Sequence, residues 1–278
     1  MRKIASGVYY EDKYAGVNVG LVVSHDDLFL VDCPLKPDDT KDWIAAVSER
    51  GRIRYLALLD SHPDRVLGAR LVEAPLLAQD DALTEIREWS DTFKGGNHPI
   101  GSESDYQKRI TGIHKAIPEL SFHRSMQIML GSRQIDLVHK PGPDAGSIWI
   151  LVPDCGIAFI GDCVTLTEPP YLGSADLGAW QSNLDELRGS AMKSYTPVSA
   201  YGGPIEREDI NAMARFLRKV ETRIEKLEAL KNPEREASSL AGELISDFPV
   251  PPGREALIRL RLQAGLLDLL ERRAAGDI

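Results

Sequence analysis

The chain of 278 residues contains little cysteine and no long hydrophobic run. Its only cysteines are Cys33, Cys155 and Cys163, and this odd number without CxxC spacing does not suggest a disulfide framework. No apolar run approaches the roughly 18 residues that a membrane helix needs. The basic start of the sequence is not followed by the apolar segment of a secretory signal. These absences predict a cytoplasmic protein with no membrane partner.

Positive charge is also in short supply. The 33 lysines and arginines face 42 aspartates and glutamates, which gives a formal net charge of −9 and a pI near 5.3. Because a nucleic-acid backbone favours a basic protein face, this balance argues against nucleic acid as a partner. With 43% apolar and 27% charged residues, the composition is ordinary for a globular protein and excludes a collagen-like or largely disordered chain.

Short apolar segments alternate with helical patterns in the first part of the sequence. Residues 17–23 and 28–31 are β-branched and apolar around a polar turn, which predicts a hairpin. A helix is predicted over 41–51, ending at a glycine, and then a strand over 53–59. This alternation is typical of a layered α/β protein.

The remaining sequence before residue 206 continues the layered pattern. Residues 80–130 lean towards helix and form a predicted insert. After this insert the sequence predicts a helix at 174–188 and strands at 134–138, 147–152, 157–160 and 195–200.

From Glu206 the composition shifts to a charged helix with one apolar stripe. A second helix is predicted after the break at Pro249–Pro252. We therefore divide the chain into a domain at 1–205 and a helical C-terminal extension at 206–278, which either caps the domain or forms a homodimer surface. The stripe recurs every three or four residues and consists of Ile210, Met213, Leu217, Val220, Ile224 and Leu227.

Three polar clusters follow predicted strands, at 60–65, 141–147 and 161–163. In layered α/β proteins, sites are built from loops that leave one edge of the sheet. A histidine with carboxylates from separate strand ends suits a divalent metal with mixed nitrogen and oxygen ligands. The His-Pro-Asp sequence can equally form a turn in which the carboxylate caps the next helix. The candidate residues are Asp60, His62, Asp64, Arg65, Asp144 and Asp162.

The order of these segments resembles the metallo-β-lactamase superfamily. The resemblance covers residues 8 to 206, including IRYLALLDSHPDRVLGA, KPGPDAGSIWILVPDCGIAFIGDCV and VSAYGGPI. It implies an αββα sandwich, in which two mixed sheets pack face to face with helices outside. It also implies a site where two metals activate a water for hydrolysis.

Most of the metal ligands of that superfamily are replaced in this sequence. In the motif His-x-His-x-Asp-His, the first histidine is Asp60 and the last is Arg65, whereas His62 and Asp64 are kept. The later aspartate is kept as Asp162. The histidine of Pro-Gly-His-Thr is replaced by Pro143, and that of Gly-His-Gly by Gly202.

The resemblance implies how the retained residues would be used. One metal would be left with Asp60, His62 and Asp162, and Asp144 is close enough in sequence to join them. The second would meet Arg65, whose guanidinium donates no lone pair. We interpret Arg65 as a charge substitute for the second metal that pairs with Asp64 and Asp162 itself; the alternative is that it points to solvent. We expect at most one divalent metal ion per chain, with no metal as the other outcome.

Two functions are compatible with this pattern. The first is a metallo-β-lactamase-like protein with a degenerate metal site, which lacks the usual two-metal hydrolysis and binds a small molecule in the old cleft or serves as an oligomeric interaction module. The alternative is a one-metal hydrolase of a small ester, thioester or phosphoester, with Asp64 as the candidate base. In both, Tyr201 and Asp144 would lie on the rim of the cleft.

Overall fold

The computed structural model of the chain describes residues 1–89, 103–106, 115–230 and 232–276. Much of the predicted insert at 80–130 lies outside the described residues.

The first sheet contains seven strands in sequential order from β1 to β7. The first four are antiparallel neighbours, and β4 to β7 run parallel. Its strands are β1 (Arg2–Ala5), β2 (Val8–Glu11), β3 (Val19–Ser24), β4 (Asp27–Val31), β5 (Arg52–Ala57), β6 (Leu76–Gln79) and β7 (Leu120–Phe122).

The second sheet contains six strands in the order β13-β12-β11-β10-β9-β8. All its pairs are antiparallel except β11 with β12. Its strands are β8 (Ser125–Leu130), β9 (Arg133–His139), β10 (Ile148–Val152), β11 (Ile157–Gly161), β12 (Thr196–Ser199) and β13 (Gly203–Pro204).

The inner faces of the two sheets form one buried core. In β4, Phe29 and Val31 face this core, whereas Leu28 and Leu30 face the helices outside. Such alternation follows from the two-residue period of a strand and places apolar side chains on both faces of a sheet covered on both sides. Because both outer faces carry helices, the predicted αββα sandwich is confirmed.

The helices form the two outer layers. Trp43 and Val47 of α1 pack on the first sheet, while Trp180 and Leu184 of α4 pack on the second. The helices are α1 (Pro37–Ser48), α2 (Pro63–Val66), α3 (Asp80–Glu88), α4 (Leu177–Arg188), α5 (Arg207–Glu228), α6 (Glu234–Leu244) and α7 (Glu255–Ala275).

The helical C-terminal extension packs on the outer face of the second sheet. All six residues of the predicted apolar stripe on α5 are buried, in one cluster with Trp149 of β10 and Trp180 of α4. The stripe is therefore used for packing within the chain. No helix in the described ranges is long and apolar enough to cross a membrane.

The structure corrects the predicted insert at its end. Residues 120–130 form strands β7 and β8 instead of helix. In β8 the side chains alternate between exposed and buried up to Ile128 and Leu130, a period that a local reading of this short segment missed. No element was predicted from the sequence at β1, β2, β6 or α6.

The fold brings several strand ends to one edge of the sandwich. Strands β4 and β5 are parallel neighbours, so the residues that follow them lie side by side. In the second sheet β11 and β12 are also parallel. The loops after these four strands hold Asp32, Asp60, Asp162 and Tyr201.

Candidate functional site

The Arg65 side chain lies at the centre of the site with no exposed surface. Its guanidinium contacts carboxylates that follow three different strands. Nη1 donates to Asp60, Nη2 donates to Asp162, and Nε lies 3.3 Å from an oxygen of Asp32. The alternative that Arg65 points to solvent is therefore wrong. Asp32 and Asp60 follow strands of the first sheet, whereas Asp162 follows a strand of the second. The Arg65 side chain therefore joins the two sheets at their edge.

Asp32 was not among the predicted site residues, although it follows β4 directly. Its backbone has a positive φ of 57°, a conformation that residues other than glycine adopt infrequently. The Asp32 carboxylate accepts a hydrogen bond from the Leu59 amide (2.8 Å), and the Asp32 amide donates to Ala57 (2.9 Å). These bonds fix the carboxylate behind the guanidinium of Arg65.

Three buried carboxylates around one guanidinium leave an excess of negative charge. Burial raises the pKa of Asp32 to about 7, against the lowering effect of Arg65. Burial also raises the pKa of Asp162, again opposed by Arg65. The pKa of Arg65 itself is raised by the three carboxylates although burial lowers it. The raised pKa values of Asp32 and Asp162 favour protonation of one of these acids, which would reduce the excess negative charge.

His62 begins the short helix α2 as its N-cap. Its Nδ1 accepts a hydrogen bond from the Asp64 amide (3.3 Å), so the neutral ring carries its proton on Nε2. Burial lowers the pKa of His62, and the positive charges of Arg65 and Arg261 lower it further. The ring is therefore neutral and presents an N–H donor, because its acceptor nitrogen is already used.

Asp64 is completely buried beside His62. Its two carboxylate oxygens accept hydrogen bonds from the backbone amides of Glu103 and Ser104, each at 2.9 Å. Burial raises the pKa of Asp64 to about 7, although these two amides favour the ionised form. The Asp64 carboxylate thus fastens residues 103–104 to the edge of the sandwich. Asp64 does not line the cavity that opens beside the residues around Arg65.

A cavity of about 200 Å³ opens beside this cluster. Its walls carry four carboxylates together with Trp89 and Tyr171, and the Tyr171 hydroxyl donates to Asp268. We call it the cleft, and its lining residues are Asp60, Ser61, His62, Pro63, Glu85, Trp89, Pro143, Asp144, Asp162, Tyr171 and Ser174.

Ser61 links two carboxyl groups in the cleft. Its hydroxyl oxygen lies 2.6 Å from Glu85 and 3.2 Å from Asp144. A hydroxyl has one hydrogen to donate, so both bonds form only when one of the two carboxyls is protonated and donates to Ser61. Burial raises the pKa of Asp144 to about 8, and the charge of Glu85 raises it further. This pair accordingly holds a proton at neutral pH.

The C-terminal extension reaches this region through two arginines. Arg261 lies in α7, and Arg254 is the N-cap of that helix. Arg261 lies 3.2 Å from Glu168, and its guanidinium carbon is 6.0 Å from the centre of the Tyr201 ring. Arg254 contacts both Glu168 and Glu103. The Glu103 amide itself donates to Asp64. One network of contacts therefore connects the extension with residues 103–104 and the loop after β5.

The predicted site residues separate into groups. Asp60, His62, Asp144 and Asp162 line the cleft, and Arg65 lies behind them. Asp64 and Tyr201, predicted as base and rim, are outside its lining: Asp64 binds backbone amides, and Tyr201 lies against Arg261. Within the ranges that the structure describes, no three histidine, cysteine or acidic side chains are placed to hold a metal ion.

Several residues at the site were missed from the sequence. Asp32 could have been found, because it follows a predicted strand at the same edge as Asp60. Glu85 and Arg261 lie within helices far away in the sequence and carry no local signal. Only the packing of α3 brings Glu85 to the cleft, and only that of α7 brings Arg261 against Glu168 and Tyr201.

The sequence matches no protein-family model and no curated protein. Solved structures do resemble the chain. A metallo-β-lactamase from Pontibacter korlensis is 18% identical with a TM-score of 0.59, and the match covers 78% of this chain and 97% of that one. The metallo-β-lactamases TMB-1 and DIM-1 are 16% and 13% identical with TM-scores of 0.62. For these two the match covers 79% and 78% of this chain and 97% and 95% of theirs.

At these identities the comparisons establish the fold, not the chemistry. The chain has the metallo-β-lactamase fold, as its segment order predicted. The match spans nearly the whole of each of these solved chains.

Proposed function

We propose that this protein has the metallo-β-lactamase fold with a degenerate metal site, lacks two-metal hydrolysis, and binds a small molecule in the cleft. The observation that carries the proposal is the position of Arg65 between Asp32, Asp60 and Asp162. A guanidinium repels a cation and occupies the oxygens that a metal would need. The protein itself thus supplies the positive charge that the buried carboxylates require.

The donor set does not fit a metal ion. A histidine that binds a metal usually donates its other N–H to a carboxylate or carbonyl. His62 has the opposite arrangement, because its Nδ1 accepts from the Asp64 amide. Metal binding through Nε2 would place the remaining proton on Nδ1, against that amide hydrogen. Asp60 and Asp162 are engaged by Arg65, and Asp64 by two amides.

Metal analysis tests the proposal directly. Protein purified without chelator should contain at most one divalent ion per chain by elemental mass spectrometry. Arg65→His should raise uptake of Mn²⁺ or Zn²⁺, because it removes the competing cation and adds a lone-pair donor. The matched control is Arg70→His, at an exposed arginine of the same loop region. Two ions per unmodified chain, lost on His62→Ala, would show that the proposal is wrong.

Stability gives the same experiment a second readout. Removing one partner of a buried ion pair costs about 3–5 kcal/mol. Arg65→His should therefore lower the free energy of unfolding in chelator, and added Mn²⁺ should restore part of it, because an ion that binds only the folded state stabilises it. Added Mn²⁺ should stabilise the unmodified protein less than it stabilises Arg65→His.

The charge of the cleft indicates the ligand class. Asp60, Glu85, Asp144 and Asp162 line it, and even with one proton shared by Glu85 and Asp144 the cleft is acidic. Anions, including carboxylates and phosphoesters, would be repelled. We expect a neutral or cationic ligand, since the lining also contains the aromatic ring of Trp89, a group that attracts cations.

A matched pair of compounds tests this expectation. Benzylamine should bind more tightly than benzoate, which has a similar size and the opposite charge, in ligand-observed NMR titrations. Glu85→Gln should weaken benzylamine binding severalfold, whereas Glu73→Gln, at an exposed glutamate away from the cleft lining, should not. Preferential binding of benzoate would contradict the assigned ligand class.

The alternative is a one-metal hydrolase of a small ester, thioester or phosphoester. It needs a metal and an accessible base, and Asp64, the candidate base, has no exposed surface. Hydrolysis of a chromogenic ester that depends on one bound Mn²⁺ per unmodified chain would favour this alternative.

A further inference from the structure

A second cavity, of about 360 Å³, is lined in part by the segment that follows Asp162. It is bounded by α5, by the turn at residues 247–248 and by Thr165 and Leu166. We call it the α5 cavity. The Leu166 amide donates to the Tyr201 carbonyl (3.2 Å), so this segment forms a wall between the α5 cavity and the residues around Arg65.

The apolar lining of the α5 cavity includes two aromatic rings. Phe216 of α5 and Phe248 of the turn meet edge to face, with ring centres 5.1 Å apart at 84°. Met213 and Leu166 also line the cavity. Its volume falls within the range of about 300–1,000 Å³ that is usual for small-molecule sites. Another ring would contact the two phenyl groups in the same edge-to-face manner.

The charged groups at the rim are already paired within the chain. Arg215 lies 2.8 Å from Glu208, and Lys219 lies 2.9 Å from Asp247. The Asp209 carboxylate accepts the Glu206 amide that begins α5 (2.7 Å). A charged ligand would have to displace one of these contacts, so the rim favours an uncharged one.

One polar group of the lining has no partner. Thr165 is buried, with 5% of its surface exposed, and its hydroxyl makes no hydrogen bond to any residue that the structure describes. A buried hydroxyl without a partner is unfavourable, and a ligand that supplies one recovers that free energy.

We propose that the α5 cavity binds a small, uncharged ring compound with a hydroxyl group. Its ring would lie against Phe216 and Phe248, and its hydroxyl would pair with Thr165. This proposal does not depend on the function proposed for the cleft, because the two cavities share no lining residue.

Two isosteric probes and an isosteric substitution test the proposal. By ¹⁹F NMR titration, 4-fluorophenol should bind the full chain about three- to tenfold more tightly than 4-fluorotoluene, the usual effect of one hydrogen bond. Thr165→Val should abolish this preference and leave 4-fluorotoluene binding unchanged. Thr222→Val, at an exposed threonine of α5, should change neither.

Further measurements locate the binding and guard against misfolding. Ala212→Leu fills the α5 cavity from an exposed helix position and should abolish binding of both probes. Thr165→Val should be at least as stable as the unmodified chain, because it removes a buried hydroxyl without a partner. The proposal is overturned if neither probe binds, if binding survives Ala212→Leu, or if the two probes bind equally.

Discussion

At the scale of single residues, the acids of this protein outnumber the bases that could neutralise them. Asp144 illustrates the consequence, because its carboxyl lies beside Glu85 and Asp60 and forms no ion pair with any residue that the structure describes. Its oxygens bind the Gly146 amide and the Ser61 hydroxyl instead. We therefore expect Asp144 to keep a proton in the folded protein that the unfolded chain releases.

This proton predicts how stability depends on pH. The pKa of Asp144 is about 8 when folded, against about 4 in an unfolded chain. Between these values the folded state binds more protons, so the free energy of unfolding falls as pH rises. Asp144→Asn, which keeps the shape of the side chain, should remove this contribution. Urea denaturation at pH 5 and pH 7.5 should show a smaller loss of stability for Asp144→Asn than for the unmodified chain.

The control for this experiment is Asp26→Asn, at an exposed aspartate in the turn between β3 and β4. It should lose as much stability between the two pH values as the unmodified chain. Equal losses in all three proteins would show that Asp144 titrates normally.

Residue types predicted much of the cleft, but not the contacts within it. The sequence predicted that Arg65 replaces a metal charge and pairs with Asp162, and this pair is present. It also paired Arg65 with Asp64, whereas the structure uses Asp32 and Asp60. The rotamer of a long arginine side chain depends on loops from three strands, which no local pattern encodes.

At the scale of secondary-structure elements, the distance between the two sheets depends on one small residue. Gly20 of β3 lies opposite Val31 of β4. A Cβ atom on Gly20 would lie 2.7 Å from the ring of Phe159 in β11 and 2.9 Å from Val31. Glycine here lets the phenyl ring of one sheet approach the backbone of the other.

Gly20→Ala should therefore destabilise the protein, by about 1–3 kcal/mol, the usual effect of overpacking a core. Gly178→Ala is the matched control, because the nearest atom to its added Cβ is 3.4 Å away, in Asp176, and it lies in helix α4. Alanine there should leave stability unchanged or raise it slightly. Urea denaturation of both variants measures the difference, and equal stability would mean that Phe159 repacks without cost.

Elements with strong local periodicity were predictable, and those defined by pairing were not. The predicted elements include the hairpin of β3 and β4, the strands β5 and β9 to β12, and the long helix α5, all of which have apolar patterns. The four-residue strand β6 was missed although it is buried inside the first sheet. The edge strands β1 and β7 have no buried residue and one, respectively. Such strands form because neighbouring strands offer hydrogen-bond partners, and this is information that their own sequence does not contain.

At the scale of the whole molecule, the C-terminal extension is part of the architecture. Trp149 of β10 and Trp180 of α4 share one buried cluster with Leu217 of α5 and Leu262 of α7. Arg261 adds a polar connection, because it lies against Glu168 and Tyr201 close to the cleft. The boundary drawn at residue 206 from composition therefore separates two parts of one hydrophobic core.

A shared core predicts that the chain unfolds as one unit. Near-UV circular dichroism reports the packing of Trp149 and Trp180, and far-UV circular dichroism is dominated by helices, of which α5 and α7 are the longest. In urea the two signals should change together, since loss of the extension would expose the cluster on the second sheet. Arg261→Met should lower both midpoints equally, whereas Arg259→Met, at an exposed position of α7, should change neither.

Deletion of residues 206–278 should leave a chain without a cooperative transition. A stable, cooperatively folded fragment of residues 1–205, or helix loss at a lower urea concentration than tryptophan unpacking, would mean that the extension is a separate unit whose contact with the second sheet adds little to the stability of the sandwich.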